Sequence, residues 1–140
     1  MSIVHNDLCF GCGRANLFGL QIELDAVESG VSGRFFVKQD HQGPPGAAHG
    51  GIVAAALDEA MALAVHAEGT RARTASLELE LIEPAPIGTF VRLEASIDAR
   101  EGSRLRVSAR ALPDEGEAPL AKARATLVAT REPGGAQPRR

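Results

Sequence analysis

The spacing of apolar residues changes its period twice along the chain. In the stretch "LQIELDAVESGVSGRFFVKQ", apolar residues recur at about every second position in two runs separated by Ser29 and Gly30. This period, with a turn between the runs, predicts two antiparallel strands. Four later segments alternate in a similar way and predict four further strands. They are "TASLELELI", "FVRLEASIDA", "RLRVSARAL" and "LAKARATLVAT".

A run of small and apolar residues lies between the two groups of strands, in "AAHGGIVAAALDEAMALAVHAEG". It predicts a helix from about Gly50 to Glu68 with Gly69 as its C-cap. The residues of this helix are small or apolar on nearly every side, so the helix should be buried on all sides. One buried helix among antiparallel strands predicts an α+β domain in which the sheet curls around the helix.

Length and composition indicate one domain. The chain has 140 residues, of which 44% are hydrophobic and 24% are charged, as in ordinary globular proteins. We assign residues 1–131 to this domain, with 1–20 as an N-terminal segment rich in Gly and Cys. Residues 132–140 are expected to form a disordered tail.

Charge and hydropathy narrow the possible partners and location. A net charge of −3 without a basic block argues against nucleic-acid binding. The longest apolar run is interrupted by Asp58 and Glu59, which argues against a membrane span. No signal peptide is recognisable at the N-terminus, and two cysteines are too few for a disulfide scaffold. These features predict a cytoplasmic protein.

The helix carries two groups that suggest catalysis. His49-Gly50-Gly51 opens it and leaves backbone N–H groups able to bind an anion or a developing oxyanion. Asp58 is a carboxylate in an apolar helix, which is unfavourable unless the group is paired or used. Gly50 and Asp58 are eight residues apart, or about 12 Å along one helix. An attacking water held by the carboxylate and an oxyanion donor must both lie about 3 Å from one carbonyl carbon, so the spacing predicts a site shared by two chains of a homodimer.

Several motifs resemble those of PaaI-like acyl-CoA thioesterases of the hotdog superfamily. They are "CFGCGRANLFGL", "HGGIVAAALDEA", "TASLELELIEPAPIG", "REGSRLRVSARAL" and "PLAKARATLVA", and they extend from about Cys9 to Thr130. The resemblance implies a hotdog fold, in which an antiparallel sheet wraps a central helix. It also implies hydrolysis of an acyl-CoA thioester without a cofactor, by a homodimer or a dimer of dimers.

The resemblance also implies roles for individual residues. Asp58 takes the position of the catalytic general base or nucleophile, and the Gly50 N–H takes the oxyanion-hole position. Thr74 matches a residue that helps to position the attacking water. His49 and Gln42 match residues that orient the carbonyl or the carboxylate. Some relatives have Asn where this chain has Gly43, which changes the polar groups around the carbonyl.

Three further residues are candidates for substrate binding. Gly51 lies at the start of the helix, and Met61 is an apolar residue one turn after Asp58. Arg104 is the candidate for the phosphates of coenzyme A, because a guanidinium pairs well with phosphate.

Other interpretations of these residues remain. Glu59 is the alternative carboxylate, or a structural partner of another group. Cys9 and Cys12 form a single C-x-x-C motif, for which zinc with His5 or His41 is conceivable. We expect them instead to pack the N-terminal segment, without metal. The alternative function is that of a non-catalytic hotdog module that binds acyl-CoA or an acyl carrier.

Overall fold

The structure is a computed structural model that describes residues 2–130. The predicted tail at 132–140 lies outside the described residues. In chain order the elements are β1 (Glu23–Val27), β2 (Gly30–Phe36), a short 3-10 helix (Gln39–His41), α1 (Gly50–His66), β3 (Ala72–Leu81), β4 (Phe90–Glu101), β5 (Arg104–Pro113) and β6 (Ala121–Ala129). The six predicted strands and the helix are all present, which confirms the α+β prediction.

The strands form one antiparallel sheet in the order β1-β2-β4-β5-β6-β3. Helix α1 contacts every strand and fills the concave face of the sheet. This is the hotdog arrangement expected from the resemblance. Strand β3 follows the helix in sequence but pairs with β6, so β1 and β3 form the two edges of the sheet.

Small residues allow the helix to lie close to the sheet. Ala56, Leu57, Ala60 and Leu63 have no exposed surface. Alternate residues of the strands point towards them, as the period of two requires. Inward-facing strand residues that are buried include Leu93, Val107, Ala111, Ala125 and Leu127. The prediction that the helix is buried on all sides was wrong for the single chain, because one stripe, with Ala54, Ala55, Asp58 and Ala62, is only half-buried. No helix among residues 2–130 is both long and apolar enough to cross a bilayer.

The end of the helix differs from the prediction. Helix α1 ends at His66 and its C-cap is Ala67, so the prediction that Gly69 is the C-cap was wrong by two residues. Gly69 has φ +81°, and its N–H donates to the carbonyl of His66 at 2.9 Å. A left-handed glycine reverses the chain here and directs it into β3.

The apolar face of β3 is less covered than its alternation suggested. Leu79 packs against the core, but the side chains of Leu77 and Leu81 are 42% and 53% exposed. Strand β3 is an edge strand, so no neighbouring strand of this chain covers them. The alternation correctly indicated a strand, but it could not indicate how much of the apolar face this chain covers by itself.

Candidate active site

Asp58 and Thr74 form a hydrogen-bonded pair at the open edge of the sheet. Asp58 is half-buried on α1, and its Oδ1 accepts a hydrogen bond of 2.7 Å from the hydroxyl of Thr74 on β3. A β-bulge follows directly, between Thr74 and Ser76. Within residues 2–130, the second carboxylate oxygen of Asp58 has no hydrogen-bond partner. The pair can therefore hold a water molecule on that oxygen while the threonine fixes the carboxylate.

The start of α1 leaves one backbone donor unused. His49 is the N-cap, and its Nδ1 accepts a hydrogen bond of 2.8 Å from the N–H of Gly51. The N–H groups of Ile52 and Val53 donate to the His49 carbonyl at 2.9 and 3.2 Å. Among the described residues, the Gly50 N–H has no acceptor. A helix N-terminus stabilises negative charge, so Gly50 is the donor available to an oxyanion.

His49 and Gly51 therefore hold the helix start in shape. A Cβ on Gly51 would lie 3.1 Å from Nδ1 of His49, so the missing side chain allows the close cap. The Gly51 N–H is bonded to His49, whereas the residue itself is exposed, and its contact with substrate stays a prediction. His49 lies directly before Gly50, and its capping bond fixes the direction of the Gly50 N–H.

Gln42 stabilises the loop before the helix. Its side-chain Oε1 accepts a hydrogen bond of 3.0 Å from the Gly46 N–H, and its backbone forms a β-bridge with Ala48. A Cβ on Gly43 would lie 2.6 Å from the Cα of His49. No side chain fits at position 43 in this arrangement, which accounts for glycine where some relatives have Asn.

His41 supports the same loop from inside. Its Nδ1 accepts a hydrogen bond from the Lys38 N–H at 3.0 Å, and its carbonyl accepts from the His49 N–H at 2.7 Å. The ring is buried, and Nε2 has no hydrogen-bond partner among the described residues. Burial lowers the pKa of His41, and the nearby positive charge of Lys38 lowers it further.

Acidification is expected to destabilise the fold through His41. In the unfolded chain the ring has its ordinary pKa near 6.5, whereas the folded chain keeps it neutral to lower pH. The stabilisation is fully present above pH 6.5 and is lost as the pH falls from there through the lowered folded pKa. Thermal unfolding measured from about pH 7.5 to about pH 5.5 should show this loss. His41→Asn keeps an acceptor for the Lys38 N–H but does not titrate. If the unfolding temperature of that variant fell as steeply with pH as that of the unaltered chain, His41 would not be the cause of the loss.

The second carboxylate of the helix points elsewhere. Glu59 is 9% exposed, and its oxygens lie 3.2 Å from Nδ1 of His5 and 3.5 Å from Sγ of Cys9. It therefore faces the N-terminal segment, whereas Asp58 faces Thr74. Sequence reasoning kept Glu59 as an alternative carboxylate and missed its grouping with the cysteines. The C-x-x-C motif was the one signal in the sequence, and it does not identify a partner on the helix.

The remaining two candidates differ in exposure. Met61 has no exposed surface and belongs to the core, so the structure does not support the prediction that it lines the substrate site. Three residues turn the helix by about 300°, so its side chain points about 60° away from that of Asp58. Arg104 is exposed at the start of β5, opposite Glu101 on β4. Within residues 2–130 it forms no ion pair, so it remains available to an anion.

The open groove of the single chain lies away from these groups. Its volume is about 930 Å³, and it crosses the outer face of the sheet, with Glu94 and Arg110 among its lining residues. Those two side chains form an ion pair of 3.0 Å. None of Gly50, Asp58 and Thr74 lines this groove. The catalytic candidates are instead found along β3, the open edge of the sheet.

Strand β3 links the two halves of the candidate site. At its start Thr74 contacts Asp58, and at its end Leu81 lies beside Gly50, where an added Cβ would be 2.9 Å from Leu81 Cδ1. The strand thus runs along the helix from the carboxylate to the free N–H. Within one chain the two groups lie at different places along this edge.

A family model and several solved structures match this chain. The model described as "Thioesterase superfamily" matches residues 45–119, which include α1 and β3. A phenylacetic acid degradation-related protein from Ralstonia eutropha JMP134 is 25% identical, with a TM-score of 0.70 over 78% of this chain and 85% of that one. The BH2602 protein from Bacillus halodurans, solved with CoA, is 29% identical, with a TM-score of 0.71 over 81% of this chain and 76% of that one.

Solved structures with lower sequence identity share the fold. A thioesterase superfamily protein has a TM-score of 0.80 at 22% identity; the match covers 86% of this chain but only 62% of that protein. A hypothetical thioesterase from Streptococcus pneumoniae TIGR4, solved with coenzyme A, has a TM-score of 0.73 at 17% identity, over 78% of this chain and 88% of that one. Two variants of that protein have also been solved, one with alanine in place of an aspartate and one with alanine in place of a threonine.

Proposed function

Since the family model matches more than half of its residues, this chain belongs to the thioesterase superfamily, and we propose that it hydrolyses acyl-CoA thioesters. The observation that carries the proposal is the pair formed by Asp58 and Thr74. It places a half-buried carboxylate, fixed by a hydroxyl at 2.7 Å, on the central helix of a thioesterase fold. Solved relatives that contain CoA support the choice of substrate class.

Asp58 acts as the general base in this proposal. Thr74 occupies Oδ1, and Oδ2 accepts a hydrogen bond from a water molecule. The water attacks the thioester carbonyl carbon, and its proton passes to Asp58. Direct attack by the carboxylate is the other possibility, because carboxylates also serve as nucleophiles. In both routes the hydroxyl of Thr74 keeps the carboxylate in the orientation that the reaction requires.

The Gly50 N–H stabilises the charge that develops on the carbonyl oxygen. Collapse of the tetrahedral intermediate then breaks the C–S bond and releases coenzyme A as a thiolate. A thiol with an ordinary pKa of about 8.5 is a good leaving group, so no strong general acid is needed. Arg104 is the proposed contact for a phosphate of coenzyme A.

The two groups meet only if two copies of the chain associate. Strand β3 is a ten-residue edge strand with exposed leucines, and such an edge favours pairing with another strand. In an antiparallel pair with Thr74 of one chain opposite Leu81 of the other, the twofold axis lies between Leu77 and Glu78. That pairing brings Asp58 of one subunit close to Gly50 of the partner subunit. Each dimer would then contain two equivalent sites.

The pairing of two β3 strands predicts that Leu77→Lys dissociates the dimer. The substitution places two ammonium groups close to the twofold axis and removes two apolar side chains from the interface. Size-exclusion chromatography with light scattering at micromolar concentration should give a dimer for the unaltered chain and a monomer for the variant. Val27→Lys is the matched control, because Val27 is a 49% exposed residue on the opposite edge strand. A monomeric unaltered chain that hydrolyses acyl-CoA would contradict the shared site.

A thiol-release assay tests the proposed activity. A panel of acyl-CoAs with aliphatic and aromatic acyl groups should show at least one substrate with release above background. Calorimetric binding of the same compounds separates catalysis from binding. Tight binding without release from any member of the panel would overturn the proposal and favour the non-catalytic acyl-CoA binding module.

A further inference from the structure

Four groups that can bind a metal converge beneath the N-terminal segment. They are Nδ1 of His5, Sγ of Cys9, Sγ of Cys12 and a carboxylate oxygen of Glu59, and all lie within 4.8 Å of one another. The first three come from the loops before β1, and the fourth comes from α1. The C-x-x-C motif alone predicted packing without metal. The structure places His5, and not His41, beside the cysteines and adds the carboxylate of Glu59, which completes a set of four ligands.

The spacing of these atoms fits tetrahedral coordination. Sγ of Cys12 lies 3.2 Å from Nδ1 of His5, which lies 3.2 Å from Oε2 of Glu59. Sγ of Cys9 lies 3.5 Å from Oε1 of Glu59. Zinc bonds of about 2.0–2.3 Å place tetrahedral ligands roughly 3.3–3.8 Å apart. The three short separations are close to this range, and the wider ones, up to 4.8 Å, must shorten by about 1 Å when an ion binds between the four atoms.

The cluster also contains a buried carboxylate that requires a positive charge beside it. Cys12 is 1% exposed, and Oε2 of Glu59 is buried without a hydrogen-bond partner among the described residues. Nδ1 of His5 lies 3.2 Å from that oxygen, so a protonated imidazole is one cation that can pair with it, and a metal ion bound to both groups is another. A buried carboxylate beside two sulfur atoms is costly unless a cation neutralises it.

The backbone around the cysteines is shaped for this approach. A Cβ on Gly11 would lie 2.3 Å from Cγ of Glu59, so only glycine lets the C-x-x-C loop reach the helix so closely. The Gly11 N–H also donates to Sγ of Cys9 at 3.3 Å. Outer hydrogen bonds of this kind orient metal ligands and stabilise thiolates.

We propose that His5, Cys9, Cys12 and Glu59 bind one Zn²⁺ ion per chain. Two thiolates, an imidazole and a carboxylate suit zinc better than a hard cation such as Mg²⁺. Four protein ligands leave no open position, so the ion is structural and fastens the N-terminal segment to α1. Binding converts the two thiols to thiolates and releases their protons to the solvent, so affinity falls as the pH falls.

Metal analysis and cobalt titration of the full chain test this site. Protein purified under reducing conditions without a metal-affinity tag should contain close to one zinc per chain by mass spectrometry of the metal. After removal of the zinc by a chelator, titration with Co²⁺ should give the visible bands of tetrahedral cobalt and a thiolate-to-cobalt charge-transfer band, saturating at one equivalent. A reduced chain that contains no zinc and shows no such bands with Co²⁺ would overturn the proposal.

Two variants identify the ligands. Cys12→Ser is expected to weaken zinc binding by more than about 100-fold, since it replaces a thiolate by a poor ligand. Glu59→Gln should retain the charge-transfer band but weaken binding and alter the visible bands. His66→Asn is the matched control, because the His66 ring lies 5.8 Å from that of His5 but outside the cluster.

Unchanged zinc content in Cys12→Ser would contradict the assignment of Cys12 as a zinc ligand. These measurements need no substrate, so they are independent of the proposed hydrolysis.

Discussion

Replacement of Asp58 by asparagine is expected to lower kcat for acyl-CoA hydrolysis by about 10³-fold, within the range that general-base catalysis contributes. Asparagine has nearly the same shape, and its Oδ1 can still accept the hydrogen bond from Thr74 that the carboxylate accepts at 2.7 Å. The fold, the unfolding temperature and the self-association should therefore change little. Thiol release under saturating substrate, measured beside thermal unfolding and light scattering, separates loss of chemistry from loss of structure.

Asp98→Asn provides a control of the same chemical change. Asp98 lies on β4, where its Oδ1 accepts a hydrogen bond of 3.1 Å from Ser108 on the outer face of the sheet. This variant should keep the kcat of the unaltered chain. Near-normal turnover in Asp58→Asn would remove Asp58 from the mechanism. Loss of turnover in Glu59→Gln with its zinc content intact would then favour the other carboxylate.

Replacement of Gly50 by proline is expected to lower kcat by about 10²–10³-fold, because it deletes one oxyanion donor. Gly50 is the first residue of α1, where proline is tolerated because its N–H has no helical acceptor. The preceding residue, His49, already has φ −61° and ψ 138°, which suits a residue before proline. Gly50→Ala is the control. It introduces the same contact with Leu81 but keeps the N–H, so it should lose much less activity.

The same two variants test whether each site is shared between subunits. A mixed dimer of one Asp58→Asn chain and one Gly50→Pro chain contains one intact site if each site joins residues of both chains. Equal coexpression should then restore about a quarter of the unaltered activity, because half of the dimers are mixed and each has one working site of two. If each site belonged to one chain, every site would carry a defect. Mixtures with no more activity than the separate variants would contradict the shared arrangement.

The secondary structure followed closely from sequence because its causes are local. The period of two in each strand and the apolar run of the helix depend only on neighbouring residues. The end of α1 was placed two residues too late, since the run "HAEG" does not show which residue makes the last helical hydrogen bond. Leu77 on β3 is 42% exposed. Alternation shows that a strand has an apolar face, but it does not show whether the same chain covers that face.

The candidate site was predictable in part. The spacing of Gly50 and Asp58 predicts a site shared by two chains, because helix geometry fixes their separation, and this stays a prediction. The role of Thr74 came from the resemblance to a known family. Only the folded chain showed that its hydroxyl donates a hydrogen bond to Asp58. The surroundings of Gly51 and Met61 depended on neighbours that a sequence does not reveal. The first donates its N–H to His49, and the second is directed into the core.

The sequence by itself determined the elements, the α+β class and the separation of the two groups on the helix, because each of these depends on short-range geometry. Only the tertiary structure decided which neighbours those groups have. It placed β3 at the open edge, with Asp58 at one end and Gly50 at the other. It also turned Glu59, adjacent to Asp58 in sequence, towards His5, Cys9 and Cys12. Neighbouring helical residues point about 100° apart, so adjacent carboxylates meet different parts of the chain.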